Sequence, residues 1–208
     1  MPQGVPVRVP DDGLSTRQRR DRPLLIVHTG AMKGKSTAAF GLALRGWSAG
    51  WSIGVFQFVK SAKWKVGEQA AFRALHEVHQ RTGQGGPVEW HKMGEGWSWA
   101  RKRGSPENHA ADHAAAAAAG WAEIARRLAE QVHDLYVLDE FSYPLHWGWV
   151  DTDEVLATLA DRPGRQHVVI TGRNVPLALL DAADLVVEMT KVKHPMDAGQ
   201  KGQRGIEW

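Results

Sequence analysis

The residues with the clearest chemistry are Thr29-Gly30-Ala31-Met32-Lys33-Gly34-Lys35-Ser36-Thr37, which follow the apolar run Leu24-Leu25-Ile26-Val27 and open an alanine-rich segment. Glycines let backbone N–H groups turn inward on an anion, a lysine adds a point charge, and a hydroxyl in the first helical turn is a ligand for Mg²⁺. All nine residues are therefore expected to face a phosphate chain, with Lys35 and Ser36 closest to the chemistry. The usual pattern places its first glycine five positions before the glycine of Gly-Lys-Ser. Here Thr29 holds that position and Gly30 comes one residue later, so the loop departs from the pattern of ordinary ATPases.

The second half of a nucleotide site is Leu135-Tyr136-Val137-Leu138-Asp139-Glu140, an apolar strand ending in two carboxylates. Hard oxygen donors of this kind suit Mg²⁺, which makes Ser36, Asp139 and Glu140 the expected metal set. Arg45 and Arg173 are read as further cations for the phosphates, against the plain alternative of solvated side chains.

These residues need a scaffold of alternating strands and helices. Strands are expected at Leu24 to Val27, Ile53 to Val59, Val88 to His91, Leu135 to Glu140, His167 to Thr171 and Leu185 to Met189, the last two read as buried. Helices are expected from about Lys35 to Trp47, Gly67 to His76 and Glu107 to Val132, the last containing the alanine run Ala114 to Ala119. Another starts at Asp151, with Glu154 placed to close a capping box. Strand, helix, strand order gives a parallel unit with a right-handed crossover, and open α/β sheets bind ligands at the carboxyl edge of their strands. Gln57-Phe58-Val59-Lys60 and Gly172-Arg173-Asn174 fall on that edge.

Residues 1 to about 22 carry prolines, glycines and four arginines, Arg17, Arg19, Arg20 and Arg22. They read as a flexible N-terminal arm before a single domain over 23–208, and 208 residues suffice for one α/β core. The absence of cysteine excludes disulfides, thiolate metal sites and a cysteine nucleophile. A net charge of +3 does not call for nucleic acid. No run approaches the roughly 18 apolar residues of a membrane span, and the chain is expected to be cytoplasmic. Ten tryptophans against two tyrosines suggest flat surfaces for a large ligand or an interface; core filling is the simpler reading for about half of them by burial statistics.

Taken together, several motifs stand in an order that resembles the ATP:cob(I)alamin adenosyltransferases of the corrinoid-biosynthesis type. They are the Thr29–Thr37 loop, Gln57-Phe58-Val59-Lys60, Gly67-Glu68, Gly96-Trp97-Ser98-Trp99, Leu138-Asp139-Glu140, Val169-Ile170-Thr171-Gly172-Arg173 and the closing Val192-Lys193-His194-Pro195-Met196-Asp197-Ala198-Gly199-Gln200-Lys201. The resemblance implies a RecA-like P-loop fold with a largely parallel six-stranded sheet, and a homodimer. The implied reaction moves the 5′-deoxyadenosyl group of MgATP to Co(I) of a corrinoid (cob(I)yrinic acid a,c-diamide, cobinamide or cobalamin), with triphosphate leaving. A shortened loop then has a meaning, because the family holds ATP the opposite way round from a hydrolase and presents C5′ to the nucleophile.

Further implications of the resemblance are corrinoid contacts at Trp97, Trp99, Gln57 and Lys60, catalytic roles for Lys35, Ser36 and Glu140, and a flavoprotein or reduced flavin that supplies electrons for Co(II) to Co(I). Trp97 stands where the family commonly has phenylalanine. Ser61-Ala62-Lys63-Trp64 carries an extra residue, and Arg101 to Ser105 is basic. Two other classes fit the nucleotide motifs alone: an ordinary RecA-like NTPase or nucleotide kinase, and a nonenzymatic nucleotide- or corrinoid-binding protein.

Overall fold

The structure, a computed structural model, describes residues 13–59, 66–93 and 108–206. Six strands form one all-parallel sheet: β1 (Leu25–Thr29), β2 (Ile53–Gln57), β3 (Val88–Lys92), β4 (Leu135–Asp139), β5 (His167–Thr171) and β6 (Leu185–Glu188). Their order across the sheet is β3-β2-β4-β5-β1-β6. The architecture agrees with the α/β, P-loop-type expectation.

Pleat parity divides the core into two faces, because successive side chains on a strand point to opposite sides. Ile26, Ile53, Val55, Leu135, Val137 and Val169 pack on one face with Ala39, Phe40, Ala43 and Trp47 of α2 (Lys35–Ser48) and Phe72 of α3 (Gly67–Thr82). Leu25, Val27, Phe56, Tyr136, Leu138, Val168 and Ile170 pack on the other. That second face is covered by α4 (Asn108–Ala129), α5 (Ser142–His146), α6 (Thr152–Asp161) and α7 (Leu177–Ala182), through Trp121, Ile124, Leu128, Val155, Leu159 and Leu179 among others. Strands with both faces covered read as continuous apolar runs, as β1, β4 and β5 do.

Two expectations are corrected. Leu185–Glu188 is an edge strand with Leu185 46% and Val186 42% exposed; apolar composition alone does not reveal that, among the described residues, it has a neighbour only in β1. Asp151 does cap α6, accepting from the Glu154 N–H at 2.9 Å, but Glu154 does not return the bond. Its carboxylate accepts from Trp121 Nε1 at 3.1 Å, a partner 33 residues away that local spacing cannot reveal. Within the stretch read as an arm, residues Thr16–Arg20 form a short helix, α1, closed by a reciprocal capping box between Ser15 and Gln18.

Trp90, Trp147 and Trp149 pack partly buried against the two core clusters. For these three, core filling accounts for the ring positions. No helix among the described residues is long and apolar enough to cross a membrane.

Candidate active site

The Thr29–Thr37 loop connects β1 to α2, and its shape is set by the neighbouring edge strand. Met189, just past β6, donates its N–H to the Thr29 carbonyl at 2.9 Å and accepts from the Met32 N–H at 3.3 Å. Gly30 sits at φ +100, and a Cβ there would lie 2.4 Å from the Met189 carbonyl oxygen. Only glycine meets both conditions. Gly34, at φ +109, is the N-cap of α2, which leaves the first-turn N–H groups available to an anion.

Lys35 opens α2 and is buried. Its Nζ donates to the carbonyls of Gly30 at 2.9 Å and Met32 at 2.6 Å, so the ammonium lies within the ring of the loop. Burial lowers its pKa, and Glu140 opposes that shift more than any other neighbour. His28 Nδ1 donates to the Lys35 carbonyl at 3.2 Å and tethers the start of α2 to β1; burial lowers the imidazole pKa.

The two carboxylates leave the sheet differently. Asp139 is fully buried at the end of β4. Its Oδ2 accepts from Gln57 Nε2 at 2.9 Å and its Oδ1 from the Thr171 hydroxyl at 2.9 Å. Glu140 follows at φ +61, a left-handed conformation that is uncommon for a residue other than glycine, and its N–H donates to Thr171 Oγ1 at 2.9 Å. The turn brings Glu140 to the wall of a cleft of about 500 Å³.

That cleft also holds Met32, Lys33, Gly34, Lys35, Ser36 and Thr37, together with Phe40, Tyr143 and Arg173. Arg173 arrives through a tight loop after β5, where Ser142 Oγ donates to the Arg173 carbonyl at 2.7 Å. A Cβ on Gly172 would lie 1.9 Å from that Ser142 hydroxyl, so the close approach requires glycine. The Tyr143 hydroxyl is raised in pKa by burial, with Glu140 acting in the same direction.

The expected residues therefore separate into groups. Lys35, Ser36, Glu140 and Arg173 share one cleft, with Asp139 buried directly behind Glu140. Arg45 is not brought there. It lies in the last turn of α2, ten residues and about 15 Å along the axis from Lys35, beside an apolar hollow lined by Leu24, Leu42 and Trp51. Gln57, expected to face a corrinoid, is fully buried, with its amide engaged by Asp139 and by Trp90 Nε1 at 3.1 Å. Trp97, Trp99 and Lys60 lie outside the described residues, as do Ser61–Trp64 and Arg101–Ser105.

Thr171, Trp90 and Met189 are site residues that sequence reasoning passed over. Pleat parity could have found two of them. Gln57 pairs in register with Asp139, and Thr171 with His28, so the last α2-facing residue on each of these four strands is polar. Trp90 lies on the same face of β3 one pleat earlier, opposite Val55, and its indole reaches Gln57 from there. The closing Lys193-His194-Pro195 segment forms a short 3₁₀ turn over Pro195–Ala198 capped by His194, with Lys191 paired to Asp197 at 3.0 Å.

Comparison with known proteins gives the family. The profile of the family described as ATP:corrinoid adenosyltransferase BtuR/CobO/CobP matches residues 21–208. A corrinoid adenosyltransferase of Pseudomonas aeruginosa is 41% identical over 190 residues, covering 91% of this chain and 86% of the relative. Corrinoid adenosyltransferase CobA of Salmonella typhimurium is 40% identical over 197 residues, covering 95% and 91%. The corrinoid adenosyltransferase of Escherichia coli K12 is 37% identical over the same length. With a family profile matched over residues 21–208 and relatives 37–41% identical over most of their length, the chain belongs to the ATP:corrinoid adenosyltransferase family.

Proposed function

We propose that this protein transfers the 5′-deoxyadenosyl group of MgATP to Co(I) of a corrinoid. The Co(I) lone pair forms the Co–C5′ bond, the C5′–O5′ bond breaks, and inorganic triphosphate leaves with the bonding electrons. The observation that carries the reading is that Lys35, Ser36, Glu140 and Arg173 share one cleft at the carboxyl edge of the sheet in a chain of this family. Co(I) is itself a strong nucleophile, so the reaction needs no side-chain nucleophile or general base. The protein's part is in-line positioning and stabilisation of the charge that develops on the leaving group.

Lys35 and the loop N–H groups hold the triphosphate, and Arg173, which lines the same cleft, adds charge. The donors Ser36, Asp139 and Glu140 are all hard oxygens, the set that suits Mg²⁺ alongside substrate phosphates. When bound, the metal supplies further neutralisation of phosphate charge. ATP lies reversed relative to a hydrolase, with C5′ toward the corrinoid, and the short Gly30-to-Gly34 spacing supports that pose. Trp97 and Trp99 belong to the corrinoid face, where they favour the four-coordinate cobalt. The enzyme acts as a cytoplasmic homodimer and depends on an external flavin-type reductant for Co(I).

The test is an anaerobic incubation of the protein with ATP, Mg²⁺ and chemically reduced corrinoids. Formation of an adenosylated corrinoid is expected. Its absence with every corrinoid, in the presence of tight ATP binding, would overturn the reading.

A further inference from the structure

The row of polar side chains behind the cleft has an internal logic that follows from donor and acceptor inventories. The Trp90 indole N–H can only donate. Because it donates to Gln57 Oε1 at 3.1 Å, it fixes which end of the Gln57 amide faces away. The NH₂ end is thereby aimed at Asp139 Oδ2, 2.9 Å away. From the other side, Thr171 Oγ1 accepts from the Glu140 N–H at 2.9 Å, which leaves its single proton for Asp139 Oδ1, also at 2.9 Å.

The result is a directed chain: Trp90 to Gln57 to Asp139, and Glu140 N–H to Thr171 to Asp139. Gln57, Asp139 and Thr171 are each 0% exposed, so water does not compete for these bonds. Trp90 is fixed in turn by tilted contacts with Phe40 and Phe72, with ring centroids 5.2 and 5.9 Å away. Thr171 has two tasks at once. It orients Asp139 and it holds the backbone of Glu140 in the left-handed turn that delivers that carboxylate to the cleft.

We propose that Thr171 and Gln57, with Trp90 directing the Gln57 amide, are positioning residues that hold Asp139 and Glu140 in the orientation required by a phosphate-bound divalent cation. This rests on the reading of Asp139 and Glu140 as the metal-side carboxylates. Gln57 then acts through Asp139, from behind the site. Partners that orient metal-binding groups are typically worth 10- to 100-fold in metal affinity, and that is the size expected here.

The experiment measures ATP affinity by calorimetry with Mg²⁺ and with chelator, on wild type, Thr171→Val, Thr171→Ser and Trp90→Phe. Wild type binds ATP more tightly with Mg²⁺. Thr171→Val removes the hydroxyl at nearly constant volume and is expected to raise the Mg²⁺ concentration for half-maximal tightening by about 10- to 100-fold, with ATP affinity in chelator within about 2-fold of wild type. Thr171→Ser keeps the hydroxyl and recovers the Mg²⁺ response. Trp90→Phe keeps a ring but releases the amide, and moves the Mg²⁺ requirement in the same direction by a smaller factor. The proposal is overturned if both Thr171→Val and Trp90→Phe retain the wild-type Mg²⁺ curve, or if Thr171→Val weakens ATP binding equally in chelator. A wild type whose ATP binding is indifferent to Mg²⁺ is a separate outcome; it removes the carboxylate assignment itself and the positioning role with it.

Discussion

Replacing Gly30 by alanine puts the fit between the Thr29–Thr37 loop and the edge strand to a quantitative test. The new Cβ would stand 2.4 Å from the Met189 carbonyl oxygen and 2.7 Å from its nitrogen. Both obstacles are backbone, and both belong to the residue that donates to Thr29 and accepts from Met32, so no rotamer change relieves the overlap. Ordinary contact begins near 3.4 Å, so loop and strand must separate by about 1 Å. A left-handed conformation costs an alanine about 1–2 kcal/mol. With a comparable amount for the lost Met189 bonds and overlap, destabilisation of about 3 kcal/mol is expected, or a Tm lower by about 6–12 °C for a chain of this size. With the loop positioning ATP as proposed, a displacement of about 1 Å lowers turnover roughly 100-fold.

The control is Gly50→Ala. Gly50 is also left-handed, at φ +83, but nothing lies within 4 Å of its hypothetical Cβ. It should show the conformational penalty alone, about 1–2 kcal/mol, with turnover unchanged. Thermal unfolding and initial adenosylation rates on the three proteins decide the matter. Gly30→Ala with the turnover of wild type and the Tm of Gly50→Ala would refute the claim that Met189 shapes the loop.

Arg173 lines the cleft and Arg45 does not. Arg173→Ala should therefore lower kcat/KM about 10-fold, the scale of one charge-assisted phosphate contact, whereas Arg45→Ala should remain within about 2-fold; equal losses would contradict the placement. Stability should also depend on acid through His133. Burial pushes this imidazole down to about 4, against the opposing pull of Glu89, so in the folded protein it stays neutral between pH 6.5 and 4, where the unfolded chain takes up the proton. Its contribution is complete above pH 6.5 and is lost as pH falls toward 4, by about 3 kcal/mol in all. Unfolding curves from pH 7 to 4.5 should fall more steeply for wild type than for His133→Gln, and parallel curves would exclude this role.

Much of the site was legible because its parts are local in sequence. A glycine-rich loop between an apolar run and an alanine-rich helix places Lys35 and Ser36 without tertiary information, and a buried strand ending in Asp139-Glu140 places the facing carboxylates. The parts that escaped depend on neighbours distant in the chain. Nothing near Leu185 tells that β6 ends the sheet, and nothing near Glu154 names Trp121 as its donor. Gln57 reads as a polar residue at an open edge until register pairs it with Asp139. Arg45 is different, since its position follows from helix geometry: ten residues of helix carry it about 15 Å from Lys35. The Ser15 to Gln18 capping box was likewise readable from spacing alone.

In the proposed reaction ATP serves as an adenosyl donor and not as a phosphoryl donor. This is tested most directly on the nucleotide side of the reaction, by quantifying phosphorus-containing products and Co–C bonds in the same anaerobic reaction with ATP and a reduced corrinoid. Adenosyl transfer yields inorganic triphosphate and adenosylated corrinoid in a one-to-one ratio, with both lost together in Lys35→Met. Release of ADP and orthophosphate without a matching yield of adenosylated corrinoid would contradict it.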